Sequence, residues 1–251
     1  MIHPVFMEKF LDFIEKEKFP LDFFSWHTYS DNIQAIAKNA TLVRKMLDER
    51  GLLETDSHLS EWNYMQVKGV GVDIWSPNEA EFRRGVFERC KNEEGASFAA
   101  ATLLLLQDLP VDVANYYDGQ PTALFCGIFD YYGVPKKIYY AFKAFKQLYD
   151  MGQKVEIQDC QSEQGIYCCA GVKEDKSEAV IMISNFHDQN RVCSLDVRGL
   201  QGTGKYMVQE YILDRERDLK LSSSQMLGGK EFILKSNLEK YSVALVKIIR
   251  E

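Results

Sequence analysis

The chain has 251 residues, of which 46% are hydrophobic and 27% are charged, a composition typical of a globular protein with a substantial core. This length accommodates one large domain or two of ordinary size. The 30 basic and 37 acidic residues give a formal net charge of −7. That charge argues against nucleic acid or an anionic membrane as the main partner, because both bind basic surfaces.

Targeting and membrane segments are not expected from the sequence. The N-terminal stretch MIHPVFMEKF lacks the basic segment and apolar core that make up a signal peptide. The longest nearly apolar segment, residues 96–106, has about half of the roughly twenty residues that a membrane span needs. We interpret it as a buried helix, and we expect a cytoplasmic protein.

The cysteines and histidines do not suggest a metal site. The six cysteines lack metal-ligand spacing and the four histidines are scattered, so we expect no metal ion or other cofactor. We expect all six thiols to be reduced and mostly buried. Cys168 and Cys169 are adjacent in a strand-like segment, so they should point to opposite faces of it. The other four are Cys90, Cys126, Cys160 and Cys193.

Helical periodicity is clear near the N-terminus. Residues 4–18 form a predicted amphipathic helix. Its predicted apolar face consists of Phe6, Phe10, Phe13 and Ile14. A second predicted helix, residues 32–50, is capped by Ser30 or Asp31 and stopped by Gly51.

Three short strand-like segments alternate with these helices and with two further ones. The strands cover residues 20–27, 59–63 and 111–117. The further helical segments cover residues 79–106 and 138–149. Alternating strands and helices predict parallel strands joined by crossover helices, so we expect an α/β fold whose strands end at one common edge.

After Gly152 the pattern changes to a period of two residues. Six strand-like segments are separated by turn-prone clusters such as KEDKS. The segments are GIYCCAGVK, EAVIMISNF, RVCSLDVRG, KYMVQEYIL, KEFILKS and KYSVALVKII. This pattern is typical of an antiparallel sandwich or barrel. We therefore predict two domains, an α/β domain over residues 1–152 and an all-β domain over residues 153–251.

Polar and aromatic side chains stand where the three N-terminal strands end. Glu61, in the sequence HLSEWN, would by itself be read as a capping or salt-bridged carboxylate. With aromatic and acidic neighbours on the adjacent strands, it suits a sugar site, because sugar C–H faces stack on rings and hydroxyls need acceptors. The predicted binding residues around it are His27, Tyr29, Trp62, Asn63, Tyr116, Tyr117 and Asp118.

Three motifs, DFFSWHTY, HLSEWN and GASFAAATLLLLQ, together resemble the later half of a retaining β-glycosidase barrel. The family they resemble is glycoside hydrolase family 39, the β-xylosidase and α-L-iduronidase group. The resemblance implies that Glu61 is the nucleophile, that His27 and Tyr29 line the sugar site, and that the ligand is a β-xyloside or a related glycoside. The implied fold is a partial TIM (β/α)₈ barrel, comprising its last three strands with helices, followed by an all-β sandwich.

The resemblance also implies that half of the catalytic pair is missing. A complete barrel takes roughly 250 residues, far more than precede the predicted sandwich. Strands one to five would be absent, together with the strand-four Glu that is the general acid/base of the family. Within this chain, Glu54 would lie at the wrong end of its strand, and Glu79 and Glu81 open a helix. Asp118 is near, but a residue on a neighbouring strand would not normally reach across the sugar.

Two functions therefore stay open. In the first, Glu61 attacks an anomeric carbon while another polypeptide supplies the acid, and the isolated chain shows little or no turnover. In the second, the chain is a non-catalytic carbohydrate-binding or assembly module. In either case an incomplete barrel exposes strand edges and an apolar inner face, which predicts self-association or a partner covering that face.

Overall fold

The N-terminal part of the molecule is a parallel sheet flanked by helices. The computed structural model describes residues 3–66, 73–121, 127–160, 164–200 and 204–251. In chain order the elements are α1 (Pro4–Glu17), β1 (Phe23–Ser30), α2 (Ile33–Asp48), β2 (Asp56–Tyr64), a 3₁₀ helix (Pro77–Glu79), α3 (Ala80–Lys91), α4 (Glu93–Leu106), β3 (Val113–Tyr116) and α5 (Lys137–Tyr149). The strands pair in parallel in the order β1-β2-β3, so their carboxyl ends share one edge, as predicted.

The C-terminal part consists of antiparallel strands in two sheets. They are β4 (Gln153–Val155), β5 (Ile166–Val172), β6 (Glu178–Asn185), β7 (Arg191–Val197), β8 (Lys205–Leu213), β9 (Lys220–Gly228), β10 (Phe232–Leu238) and β11 (Ser242–Arg250). Six of them form one sheet in the order β4-β5-β6-β11-β8-β9, and β10 pairs with β7 in the other. The molecule is therefore a mixed α/β protein. Whether residues 1–152 and 153–251 are separate domains stays a prediction.

One hydrophobic core extends across both parts. Helix α4 is buried almost all round, as predicted, and one face of the six-stranded sheet packs on α4 and α5. The other face of that sheet packs against β7 and β10 in two smaller clusters. Cys169 belongs to the helix-facing core, whereas Cys168 packs on the opposite side, so the predicted alternation is confirmed.

Helix α1 buries only Ile14 of its predicted apolar face, and the three phenylalanines of that face are not buried. Its buried side chains are Met7, Leu11 and Ile14. Phe6 and Phe13 are 71% and 52% exposed. The spacing of three and four residues fits both apolar stripes, and contact with α2 and the sheet selects the aliphatic one. The aromatic stripe therefore forms an exposed apolar surface.

The N-cap of α2 and the burial of some of the cysteines also differ from expectation. Asn32, and neither Ser30 nor Asp31, caps α2 by accepting a hydrogen bond from the backbone N–H of Gln34 at 2.9 Å. Cys160 is exposed, and Cys90 and Cys169 are buried. Cys126 lies outside the described residues. No described helix is long and apolar enough to cross a bilayer.

Asp214 closes the turn between β8 and β9 and provides a pH-dependent stabilisation. Its carboxylate accepts hydrogen bonds from the backbone N–H groups of Glu216 and Arg217, at 2.9 and 2.7 Å, and from the Arg217 guanidinium. Burial alone raises the pKa of Asp214, but the bonds from Arg217 and Glu216 outweigh it and lower the pKa. The ionised form therefore stabilises the folded state.

We expect Asp214→Asn to lower the free energy of unfolding by about 2 kcal/mol at pH 7, because a charge-assisted hydrogen-bond network is lost. The ordinary pKa of this carboxyl is 3.8. Since the folded-state pKa is lower, the difference between wild type and variant should shrink as the pH falls from that value. Urea unfolding at several pH values measures this, with Glu231→Gln as an exposed control. An equal difference at low pH would show that the charge of Asp214 is unimportant.

Candidate functional site

A β-bulge in β2 sets the direction of the Glu61 side chain. Trp26 of β1 pairs with Leu59, but the next residue, His27, pairs with Glu61, so Ser60 is an extra residue in β2. The hydroxyl of Ser60 donates a hydrogen bond to the carbonyl of Trp26 at 3.0 Å. Strict alternation from the buried Leu59 would turn Glu61 toward the helices. The extra residue instead places it on the same face as His27.

Glu61 lies among aromatic side chains on that face. The hydroxyl of Tyr29 donates a hydrogen bond to Glu61 Oε2 at 2.7 Å. The ring of Tyr29 contacts His27 and Tyr117 edge-on, with centroid separations of 6.4 and 6.3 Å. His27 is exposed, and Tyr117 is 39% exposed. We call His27, Tyr29, Glu61 and Tyr117 the Glu61 cluster.

Two further predicted residues lie next to this cluster. Asn63 is buried, and its side-chain amide donates a hydrogen bond to the Tyr117 carbonyl at 2.6 Å while accepting one from the N–H of Tyr64. Asn63 therefore joins β2 to the segment after β3 and fixes the position of Tyr117. Asp118 follows directly, and its buried Oδ1 has no hydrogen-bond partner among the described residues.

Trp62 and Tyr116 point away from the cluster. They lie on the helix-facing side of the sheet, where their rings meet edge-to-face at 5.1 Å and both contact Phe142 of α5. Trp62 is 0% exposed. A ligand on the Glu61 side of the sheet could not reach either ring, so the structure does not bring these two predicted binding residues together with Glu61.

The face of the parallel sheet that contains Glu61 is open and largely polar. Ser25, His27 and Asp56 are exposed on it, and Phe23, 51% exposed, stacks on His58 at 4.5 Å near the opposite end. The expectation of an apolar inner face is therefore wrong for the described strands. The apolar side chains of these strands face the helices, because that is where they can be buried.

The other carboxylates considered from the sequence lie outside the Glu61 cluster. Glu54 precedes the first residue of β2, at the strand end opposite to the one Glu61 approaches. Glu79 ends the 3₁₀ helix and Glu81 lies in the first turn of α3, as predicted. The described residues contain no group of three or more His, Cys, Asp or Glu that could hold a metal ion.

Sequence reasoning missed the role of Ser60. The signal was present, since Leu59 and Trp62 are both core residues three positions apart, a spacing that regular strand alternation does not allow on one face. Two consecutive polar residues between two buried ones therefore indicate a bulge. Bulges are common next to active sites because they redirect one side chain.

Comparison with known proteins shows the fold. No family model and no curated protein matches the chain. A glucosidase from Croceicoccus marinus matches 100% of this chain with a TM-score of 0.79 at 22% sequence identity. A GH39 enzyme from Xanthomonas axonopodis pv. citri and a monomeric β-xylosidase from Caulobacter crescentus CB15 match 97% and 96% of it, both with a TM-score of 0.71 at 14% identity. The chain spans 58% of each of these three neighbours. It has a glycosidase-like fold.

Proposed function

We propose that the chain is the C-terminal part of a retaining β-glycosidase, similar to those of glycoside hydrolase family 39. In this proposal β1, β2 and β3 are the last three strands of a (β/α)₈ barrel, and the two antiparallel sheets form an all-β sandwich. The three structural neighbours support it, because a glucosidase and a β-xylosidase share the fold over 96% or more of this chain. The missing strands would correspond to the part of those neighbours that this chain does not span.

The observation that supports the proposal best is the hydrogen bond from Tyr29 to Glu61. A carboxylate nucleophile must be ionised and held in one orientation to attack an anomeric carbon. The Tyr29 hydroxyl holds Oε2 at 2.7 Å, which leaves Oε1 as the attacking oxygen. The rings of His27 and Tyr117 border the same open surface, where a sugar ring could stack.

A retaining reaction also needs an acid, and we propose that it comes from outside this chain. In retaining enzymes the two carboxyl groups are about 5–5.5 Å apart, on opposite sides of the glycosidic bond. Asp118 follows Tyr117 in the segment directly after β3, the strand next to β2, so it would approach the sugar from the side and not from beyond the leaving group. The isolated chain should therefore form a glycosyl ester on Glu61 only with a leaving group that departs unprotonated.

A second candidate function is a non-catalytic carbohydrate-binding or assembly module. The exposed aromatic stripe of α1 supports the assembly part of it, with Phe6 71% and Phe13 52% exposed. In the described sheet β1 and β3 are edge strands, and edges of this kind pair with other chains. We propose that self-association, or a partner that contributes the missing strands, covers these strand edges.

The test measures attack by the nucleophile separately from complete hydrolysis of a substrate. The purified chain would be incubated with a fluoro-xyloside that has a dinitrophenolate leaving group, which departs without an acid, and analysed by intact mass and peptide mapping. We expect one label, on Glu61, in wild type and in Glu54→Gln, and none in Glu61→Gln. Hydrolysis of an ordinary aryl β-xyloside should be no faster than by Glu61→Gln. Light scattering on the same sample gives the oligomeric mass.

Each alternative outcome has a distinct meaning. Xyloside turnover that Glu61→Gln abolishes would show that this chain, or a second copy of it, supplies the acid. Sugar binding without labelling would favour the binding module. The absence of both sugar binding and labelling would overturn a carbohydrate function for the Glu61 cluster. A monomeric mass in dilute solution would rule out self-association.

A further inference from the structure

Two neighbouring tyrosines form the tip of a short hairpin between β3 and α5. Tyr131 and Tyr132 are 68% and 86% exposed, and their rings meet edge-on with the centroids 5.3 Å apart. Within the described ranges, neither phenol hydroxyl has a hydrogen-bond partner in the protein. The tip therefore presents two ring surfaces and two available hydroxyls to solvent.

Asp130 holds this tip in one conformation. Its backbone carbonyl accepts a hydrogen bond from the N–H of Gly133 at 3.0 Å, which closes a β-turn with the two tyrosines at its centre. Its side-chain Oδ1 accepts bonds from the backbone N–H groups of Tyr132 and Val134, both at 2.9 Å. Its Oδ2 lies 3.0 Å from Nζ of Lys136. Because the turn is already ordered, a ligand that stacks on the tip does not have to fix the loop.

The hairpin begins at the edge of the parallel sheet where the Glu61 cluster lies. At its base, the N–H of Ile128 donates a hydrogen bond to the carbonyl of Asp118 at 3.2 Å. Asp118 directly follows Tyr117, which belongs to the Glu61 cluster. Three residues lead from Ile128 to Tyr131, so the tip extends at most about 10 Å from this base. A single extended ligand therefore spans the Glu61 cluster and the tip.

We propose that Tyr131 and Tyr132 bind a second sugar unit of a carbohydrate chain whose end lies at the Glu61 cluster. The ligand is then an oligosaccharide or a polysaccharide, and not a single sugar with a small aglycone. A sugar ring stacks its C–H face on an aromatic ring, and its hydroxyls form hydrogen bonds with phenol oxygens. The inference rests on the proposed function, since it takes the Glu61 cluster to be a sugar site.

The charges around the tip favour a sugar chain over a single-stranded nucleic acid, the other ligand that stacks on exposed rings. A nucleic acid needs cations beside the rings to bind its phosphates. Lys136 at the end of the hairpin is paired with Asp130 at 3.0 Å. Lys137, the next residue, is paired with Asp218 at 2.7 Å. The chain has a net charge of −7, so a neutral ligand fits this surface better than a polyanion.

The experiment compares the affinities of the full chain for xylose and for xylotetraose by NMR titration, which measures millimolar dissociation constants. Wild type should bind xylotetraose about tenfold more tightly than xylose, because ring stacking contributes roughly this factor. The double variant Tyr131→Ala/Tyr132→Ala should lose most of that difference and bind xylose as wild type does. The double variant Tyr131→Phe/Tyr132→Phe keeps the rings and should keep most of the difference.

The matched control is Tyr149→Ala, the removal of another exposed tyrosine. Tyr149 is 70% exposed and is the last residue of α5, a helix that begins next to the hairpin. It therefore lies about 18 Å from the hairpin along the helix, at 1.5 Å per residue. Its removal should leave both affinities unchanged.

Equal affinities of wild type for the two sugars would overturn the inference, and so would a difference that the double alanine variant retains or that Tyr149→Ala also loses. Cellotetraose and glucose form a second pair of probes, and a length effect lost with the two tyrosines in this pair would support the inference for a different sugar. Labelling of Glu61 without a length effect would leave the proposed function standing and remove only the tyrosine site. A length effect without labelling would support the tyrosine site and contradict the assignment of the nucleophile.

Discussion

Trp62→Ala is expected to lower the free energy of unfolding by about 3–5 kcal/mol and, if the Glu61 cluster binds sugar as proposed, to leave that binding intact in the fraction that stays folded. The indole is 0% exposed and packs between Tyr116 and Phe142. Its removal leaves a cavity under the centre of the parallel sheet, and the rigid rings on both sides cannot close it completely. Urea unfolding of wild type and variant measures the loss.

The matched control for this prediction is Tyr117→Ala, the removal of an aromatic ring on the opposite face of the same sheet. Tyr117 is 39% exposed, so we expect a stability loss of no more than about 1 kcal/mol. If it stacks on a sugar, its removal should weaken binding. The reverse pattern, with Trp62→Ala stable and defective in sugar binding, would restore Trp62 to the binding site that the sequence motif implied.

The sequence predicted the parallel part of the fold well because its signals are local. Periodicity and length identified the three strands, and the run of small and aliphatic residues in α4 indicated burial on all sides. Alternation in β5 also predicted the opposite directions of Cys168 and Cys169. Each of these predictions depends on a pattern repeated within one element, and tertiary contacts agree with it.

The predictions that were wrong depended on contacts between elements. Phe6 and Met7 begin two apolar stripes of α1 with the same helical spacing, and only the neighbouring α2 and sheet decide which is buried. Strand β9 was missed because its sequence KLSSSQMLG is almost wholly exposed at the edge of the sheet, so it has no apolar alternation. Its pairing with β8 makes it a strand.

The candidate site shows the same division between local and non-local information. The motif HLSEWN located Glu61 but could not show which of its residues face a ligand, because that depends on the pairing register with β1. The extra residue Ser60 places Glu61 beside His27 and leaves Trp62 in the core. With the inserted residue, the Glu61 carboxylate is available to solvent. Without it, the same carboxylate would be turned into the hydrophobic layer.

The other large effect is expected at Gly95, where α4 begins directly after α3. A β-carbon on this residue would lie 2.3 Å from the carbonyl oxygen of Cys90 and 2.6 Å from that of Arg89. Both oxygens belong to the backbone of α3, so the steric clash can be relieved only if α3 and α4 move apart. Because α4 is packed against α5 and three strands of the antiparallel sheet, this movement would disturb the core shared by both parts of the molecule.

We therefore expect Gly95→Ala to lower the free energy of unfolding by about 3 kcal/mol, even though alanine favours a helix more than glycine does. Gly85→Ala in α3 is the matched control. There the added carbon meets only the flexible Arg89 side chain, at 3.3 Å, so the helix propensity should prevail and the variant should be neutral or more stable by up to about 1 kcal/mol. Equal effects of the two substitutions in thermal or urea unfolding would mean that the α3–α4 junction is loose. Opposite signs would show that the close backbone approach at Gly95 holds α4 in place between the two halves of the core.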